Sequence, residues 1–192
     1  MLILASQSPR RQQLLAQVGI PFQVEPSGAE DRVDVSALPP AERARTLALT
    51  KAREVARRHP EAVVLGADTV VVVDGQVLGK PRDPDHARAM LRQLAARDHL
   101  VITGVALVQA ATGREVVAHE TTRVWIRPLT PEQIEWYVRS GEPLDKAGAY
   151  GIQGLAAALV ERIDGCYYNV VGLPLSRVIR LLEEEFGIPV LR

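Results

Sequence analysis

Hydrophobic positions recur at two spacings along the chain, and these spacings predict an alternation of strands and helices. The apolar run at residues 2–5 fits a short buried strand. Ser8-Pro9 follows it as an N-cap and a first-turn proline, so we expect a helix there that ends at Gly19. The chain therefore opens with a strand that leads directly into a helix.

Apolar spacing and turn signals assign the remaining elements. Helices are predicted over 40–58, 83–96, 130–140 and 175–186, and strands over 63–68, 70–78, 101–109, 115–127, 155–163 and 166–171. Asp74-Gly75 and Asp164-Gly165 are two-residue hairpin signals. This mixture predicts a single α/β domain over residues 1–192, in which helices flank a mixed, strongly twisted sheet.

Composition and charge exclude several classes of function. The 23 Lys and Arg residues equal the 23 Asp and Glu residues in number, so general binding to nucleic acid is not expected. Aromatic residues make up only 4% of the chain, which argues against a base-stacking platform. No apolar run approaches the roughly 20 residues that cross a bilayer, so we expect no membrane association. The only cysteine, Cys166, favours a reducing, cytoplasmic location.

The junction between the first strand and the first helix is a candidate phosphate cradle. Free backbone N–H groups and the positive end of a helix dipole attract anions there. The hydroxyls of Ser6 and Ser8 and the guanidiniums of Arg10 and Arg11 would add donors that suit a phosphate. The alternative from spacing alone is an ordinary capped helix with solvated arginines.

Asp68 interrupts an otherwise apolar stretch and is a candidate catalytic acid. A carboxylate there is costly to bury unless it holds a metal, a proton or a partner, although it would also suit the cap of a bend. Lys51 in the second helix and Lys80 after the first hairpin are candidates to neutralise charge on a leaving phosphate. The alternative for both lysines is simple exposure to solvent.

The segment from Asp145 to Gly154 contains three glycines at three-residue spacing. Such glycines let the backbone approach a ligand closely, and the Gln153 amide offers both a donor and an acceptor for a base edge. Taken alone, the segment would equally suit a flexible loop. The neighbouring acids Glu30 and Asp31 would help to hold a divalent metal, or would be surface acids.

Four segments occur together in order: Ser6-Gln7-Ser8-Pro9-Arg10-Arg11, Gly66-Ala67-Asp68-Thr69, Gly79-Lys80-Pro81, and the stretch from Asp145 to Gly154. In combination they resemble the Maf family of nucleoside triphosphate pyrophosphatases over nearly the whole chain. The resemblance implies a fold related to that of inosine triphosphate pyrophosphatases, a homodimer, and a divalent metal cofactor (Mg²⁺, Mn²⁺ or Co²⁺). It also implies hydrolysis of a nucleoside triphosphate between the α and β phosphates, and the last segment resembles the dTTP/UTP branch.

The same resemblance implies roles for single residues. Asp68 matches the proton acceptor. The positions linked to base choice are Arg10, Thr69 and Gln153, and those around the polyphosphate are Ser6, Arg11, Lys51 and Lys80. The candidate metal ligands are Asp68, Asp31 and Glu30. The family's acidic pair commonly reads Asp-Glu, whereas this chain has Glu30-Asp31, so the pair leaves open which carboxylate meets the metal.

Two other functions stay open at the level of sequence. One is the 7-methyl-GTP branch of the same family. The other is a regulator of cell division that senses triphosphates without hydrolysing them. Such a sensor would need the phosphate cradle but not the acid, so the presence of Asp68 alongside both lysines favours an enzyme. The family resemblance implies a role in the house-cleaning of nucleotide pools, with modified pyrimidine triphosphates as further substrates.

Overall fold

The computed structural model of the chain describes residues 1–191, with Glu30 described in its backbone alone. Within that range the strands are β1 (Leu2–Leu4), β2 (Gln23–Val24), β3 (Val63–Val73), β4 (Gln76–Leu78), β5 (Arg97–Gln109), β6 (Arg114–Ile126) and β7 (Val160–Asp164). The α-helices are α1 (Pro9–Gln17), α2 (Pro40–Arg58), α3 (Pro84–Leu94), α4 (Pro131–Arg139), α5 (Tyr167–Val171) and α6 (Leu175–Phe186). Short 3₁₀ turns occur at Ala29–Arg32, Glu142–Asp145, Ala147–Ala149 and Gly154–Ala158.

The strands form one mixed sheet, as the sequence predicts. Their order is β2-β1-β3-β5-β6-β7, and β4 pairs with β3 outside this path. β1 is parallel to both β2 and β3, whereas the pairs β3–β4 and β6–β7 are antiparallel. No helix within residues 1–191 has the length and the apolar character needed to cross a membrane.

The chain divides into two compact units. The first unit comprises Met1–Asp68, Thr103–Glu120 and Gly172–Arg192, and the second comprises Thr69–Ile102 and Thr121–Val171. The boundary between the units falls within β3, β5 and β6, so each of these strands contributes residues to both units. In β3, Asp68 belongs to the first unit and Thr69 to the second. The single-domain organisation over 1–192 stays a prediction.

Each unit has its own apolar core. In the first unit, Ala and Val residues of α2 pack against residues in and beside β1, β3 and β5. This core comprises Ile3, Ala5, Ala48, Ala52, Val55, Ala56, Ala62, Val64, Ala106 and Val108. In the second unit, α3 and α4 pack with the strand residues and the glycine-rich segment, and the core includes the fully buried Tyr137 and the nearly buried Tyr150. Tyr137 of α4 and Tyr150 of the glycine-rich segment thus both belong to the core of the second unit.

Local signals are confirmed where the chain itself supplies the partners. Ser8 caps α1, with its Oγ accepting from the Arg11 N–H, and Gly19 follows the helix with φ of +71°. Thr130 and Gln133 form a complete capping box at the start of α4. Asp74 and Gly75 both have positive φ in the turn that joins β3 to β4, as a type I′ hairpin requires.

The prediction of a strand over residues 166–171 and of a second hairpin at Asp164-Gly165 is wrong. Residues Tyr167–Val171 form α5, and β7 pairs with β6 instead. The reason is the buried Asn169, whose side-chain amide donates to the carbonyl of Val101 and to the hydroxyl of Thr122, both at 3.0 Å. These contacts override the strand preference of the aromatic and β-branched residues in this segment.

Other strand boundaries also differ from prediction. β5 begins at Arg97, four residues before the strand predicted over 101–109. Residues Gly154–Ala158 form a 3₁₀ turn, so the strand predicted over 155–163 begins only at Val160. Residues 63–68 and 70–73, predicted as separate stretches on either side of residue 69, form one continuous strand, β3, and residues 76–78 of the second stretch form β4. The strand continues through Asp68 because the carboxylate is paired with Lys51 and so needs no bend to reach solvent.

Candidate active site

An ion pair between Asp68 and Lys51 is the centre of the candidate site. The Lys51 Nζ atom lies 2.8 Å from Asp68 Oδ1. The two side chains are only 9% and 16% exposed, so water screens the pair less than it would at an open surface. A carboxylate and an ammonium are therefore fixed together on β3 and α2, within the first unit.

Close backbone packing positions Lys51. A Cβ atom built on Gly66 would lie 2.1 Å from the carbonyl oxygen of Ala48 and 3.0 Å from the amide nitrogen of Ala52. α2 therefore rests directly on the backbone of β3, two residues before Asp68. Because Lys51 lies between Ala48 and Ala52, this approach brings its side chain to the carboxylate.

A second glycine fixes the other end of the same helix face. A Cβ atom on Gly104 of β5 would lie 2.3 Å from the carbonyl oxygen of Ala44, one turn before Ala48. The backbone of α2 thus meets β3 and β5 at glycines, which makes the position of Lys51 sensitive to single methyl groups. Gly66 belongs to the motif Gly66-Ala67-Asp68-Thr69, but spacing along the chain does not reveal this packing role.

The residues of the predicted phosphate cradle lie at the junction of β1 and α1. The Oγ atom of Ser6 accepts from the Ser8 backbone N–H at 3.2 Å and from Arg11 Nη1 at 3.3 Å. Arg11 Nε also donates to the Gly172 carbonyl at 2.8 Å. Arg10, in the first turn of α1, is half-buried. The hydroxyls of Ser6 and Ser8 and the Arg11 guanidinium therefore lie near the end of β1, and their binding to phosphate stays a prediction.

Strand pairing places the cradle next to the middle of β3, the strand that carries the acid. β1 is parallel to β3 with Leu4 opposite Leu65, and the Ala5 N–H donates to the Leu65 carbonyl at 2.8 Å. Neighbouring strands lie about 4.8 Å apart, so Ser6 and residues 66–68 follow the same paired stretch. The start of α1 and the Asp68–Lys51 pair are therefore carried on adjacent strands.

Three other predicted residues belong to the second unit. Thr69 is half-buried, whereas Lys80 and Gln153 are exposed. The Gly148 N–H donates to the Gly79 carbonyl at 3.1 Å, which joins the segment that carries Lys80 to the glycine-rich segment. Gly148 itself has φ of +72° and would place a Cβ atom 2.9 Å from Val71, so glycine is required there.

The described acids do not assemble into a metal cage. No group of three or more His, Cys, Asp or Glu side chains within the described residues is arranged to hold a metal ion. Asp31 is exposed in the turn Ala29–Arg32, and the Glu30 side chain lies outside the described part of the chain. Asp68 is the acid placed beside the cradle. Such a donor set fits a Mg²⁺-type cation, which binds one or two carboxylates together with substrate phosphates.

Sequence reasoning missed residues that hold the segment around Gln153. The carboxylate of Glu142 accepts hydrogen bonds from Leu155 and Ala156, which are 13 and 14 residues further along the chain. His99 bonds through Nε2 to the hydroxyl of Tyr150, 51 residues away. Contacts at such separations leave no local pattern in the sequence. The one available signal was a lone histidine, His99, beside an apolar stretch.

Comparisons with known proteins agree with the motifs. The family model described as Maf-like protein matches residues 1–185. A protein of Symbiobacterium thermophilum named dTTP/UTP pyrophosphatase is 59% identical over 98% of this chain and 95% of its own length. A protein of the same name from Moorella thermoacetica is 57% identical over 98% of this chain and 96% of its own.

The fold also has a solved counterpart. The structure of the Ham1 protein of Staphylococcus aureus covers 96% of this chain and 98% of its own, with a TM-score of 0.53 at 14% identity. Together with the mixed sheet and its flanking helices, this confirms the predicted relation to the inosine triphosphate pyrophosphatase fold. The motifs, the fold and the match over residues 1–185 establish that the chain belongs to the Maf family.

Proposed function

We propose that the chain is a nucleoside triphosphate pyrophosphatase that hydrolyses dTTP and UTP to the monophosphate and pyrophosphate. The structural observation that carries the proposal is the shielded Asp68–Lys51 ion pair beside the Ser6–Arg11 cradle. Sequence identity of 57% and 59% to two proteins named dTTP/UTP pyrophosphatase supports the choice of substrate. The family resemblance extends the proposal to modified pyrimidine triphosphates and to the house-cleaning of nucleotide pools.

In the proposed reaction, water attacks the α-phosphorus of the nucleotide. Asp68 Oδ accepts hydrogen bonds from this water and takes its proton as the new bond between oxygen and phosphorus forms. The bond from the α-phosphorus to the oxygen that bridges to the β-phosphorus breaks, and pyrophosphate leaves with the bonding electrons. Lys51 holds the carboxylate in place through its 2.8 Å contact.

Cationic side chains offset the charge of the triphosphate. The guanidiniums of Arg10 and Arg11, together with the positive end of the α1 dipole, suit phosphate oxygens in charge and geometry. Ser6 and Ser8 fix this arrangement, since Ser6 Oγ accepts from Arg11 and Ser8 caps the helix. Such charge stabilisation at the departing pyrophosphate is expected to outweigh general-base assistance in energy.

Other assignments of the proposal rest on family resemblance. Lys80 is assigned to the polyphosphate, and Thr69 and Gln153, with Arg10, to the choice of base. A divalent cation, Mg²⁺, Mn²⁺ or Co²⁺, would be held by Asp68, with Asp31 or Glu30 as a second candidate ligand, and would neutralise phosphate charge. We also propose a cytoplasmic homodimer, in keeping with the family and with the lone Cys166.

The proposal is tested by pyrophosphate release from a panel of pyrimidine and purine triphosphates. We expect dTTP and UTP to be hydrolysed fastest. Asp68→Asn should lower kcat by about 10²- to 10⁴-fold, the usual contribution of a general base, and leave KM within a few-fold. Asp85→Asn is the control, because this carboxylate is 93% exposed on α3. Tight nucleotide binding by the wild-type chain without any product would support a sensor instead.

A further inference from the structure

Glu142 makes a set of contacts that the proposed reaction does not use. Its Oε2 atom accepts from the Leu155 N–H at 3.1 Å, and its Oε1 atom accepts from the Ala156 N–H at 3.4 Å. The Tyr137 hydroxyl donates to Oε1 at 3.1 Å. One carboxylate thus joins the end of α4 to the backbone that follows Gln153, and all of these residues belong to the second unit.

These contacts replace a cap that Gln153 would otherwise provide. Leu155 and Ala156 open the 3₁₀ turn Gly154–Ala158, in which Gln153 is the N-cap residue but makes no side-chain cap bond. The first N–H groups of a helical turn need an acceptor, which is often the side chain of the N-cap residue. Because Glu142 accepts from them, the exposed amide of Gln153 is not used to hold its own backbone.

Gly154 is shaped to admit this carboxylate. It has φ of +67°, and a Cβ atom there would lie 2.9 Å from Glu142 Oε2. A side chain at this position would therefore be strained and would push the carboxylate away. The glycine next to Gln153 thus serves the contact with Glu142 as well as the turn.

Both anchors of the segment reach the core of the second unit. Tyr137 is fully buried, and this burial is the main cause that raises its pKa. The nearby Glu142 carboxylate is the second cause. The hydroxyl therefore keeps the proton that it donates to Glu142. On the other side of Gln153, the buried hydroxyl of Tyr150 bonds to His99 Nε2, and the two rings meet edge to face. Gln153 is therefore an exposed side chain between two fixed points.

We propose that Glu142, supported by Tyr137, is a positioning residue that presents Gln153 to the base and so sets the preference for pyrimidine triphosphates. This inference rests on the proposed function and on the role of Gln153 within it. Glu142 is not a catalytic residue, since its contacts all lie within the second unit and none involves Asp68 or Lys51. Its loss should therefore raise KM for the preferred base far more than it lowers kcat.

The test compares kcat and KM for dTTP and dGTP in five proteins: wild type, Glu142→Ala, Gln153→Ala, the double variant, and Glu161→Gln as an exposed control on β7. We expect Glu142→Ala to lower the dTTP/dGTP ratio of kcat/KM about tenfold through KM, with kcat for dTTP within about threefold. In the Gln153→Ala background the same substitution should change the ratio no further, because the two residues act as one unit.

Two milder variants keep the test decisive if Glu142→Ala is unfolded. Glu142→Gln cannot accept from both N–H groups with two oxygens, and Tyr137→Phe deletes one bond, so both should shift the ratio in the same direction. An unchanged ratio in these variants, or equal effects with and without Gln153, would overturn the inference while the proposed function stands. A wild-type chain that hydrolyses no triphosphate would instead overturn the proposed function.

Discussion

Replacing Gly66 with alanine tests how α2 delivers Lys51 to Asp68. The added methyl group would lie 2.1 Å from the Ala48 carbonyl oxygen, far inside ordinary contact. To restore normal separation, α2 must move away from β3 by about 1 Å. The obstructing atoms belong to the helix backbone, so no side-chain rotation relieves the clash. We therefore expect a loss of about 3 kcal/mol in the free energy of unfolding, the upper end of the usual cost of overpacking.

The same movement should reach the ion pair. Lys51 follows Ala48 by three residues on α2, so a shift of the helix lengthens the 2.8 Å contact between Nζ and Asp68 Oδ1. Misplacement of a catalytic group by about 1 Å commonly costs about 10²-fold in rate. At this chain length, a loss of about 3 kcal/mol lowers the melting temperature by about 6–12 °C. Thermal unfolding by circular dichroism and steady-state hydrolysis of dTTP measure the two effects.

Gly28→Ala is the matched control. Gly28 has φ of −106°, and a Cβ atom there would meet only the Arg32 Nη2 atom at 3.8 Å, an ordinary contact. We expect its stability to change by less than about 0.5 kcal/mol and its turnover to stay at the wild-type level. If Gly66→Ala kept both the melting temperature and the turnover of the wild type, the account of how α2 is seated would be refuted.

Two further predictions concern the core of the second unit. Burial lowers the pKa of His99 to about 4 from an ordinary 6.5. Between these two pH values His99 is protonated in the unfolded chain and neutral in the folded chain. Stability from this residue is complete above pH 6.5 and decreases as the pH falls, by about 2 kcal/mol at pH 5. The free energy of unfolding in urea should differ less between pH 7.5 and pH 5 in His99→Gln than in the wild type. An equal difference in the two proteins would contradict this assignment to His99. Asn169→Ala removes two buried hydrogen bonds, so urea unfolding should show a loss of about 2–3 kcal/mol, whereas a change below about 0.5 would contradict its structural role.

Local chemistry made much of the fold predictable. The cap at Ser8, the capping box at Thr130 and the turn at Asp74-Gly75 all use partners within four residues along the chain. Such signals can be read from sequence because the interacting groups are neighbours. α5 was wrongly predicted as a strand because its decisive partners, Val101 and Thr122, are 68 and 47 residues from Asn169.

The candidate site shows the same division. The motifs pointed to Asp68 and to the cradle, and the structure pairs Asp68 with Lys51 of α2 and sets β1, which leads to the cradle, beside β3. What spacing did not reveal is why they meet, since the contact between Gly66 and Ala48 joins two elements through backbone atoms alone. Glu142 was missed for a related reason, because its acceptor role depends on donors 13 and 14 residues away.

The central claim is that water attacks the α-phosphorus of a pyrimidine triphosphate. Hydrolysis of dTTP in ¹⁸O-labelled water, followed by mass spectrometry of the products, tests it most directly. The account predicts one ¹⁸O atom in dTMP and none in the released pyrophosphate. Label in pyrophosphate, or release of orthophosphate with dTDP, would contradict it.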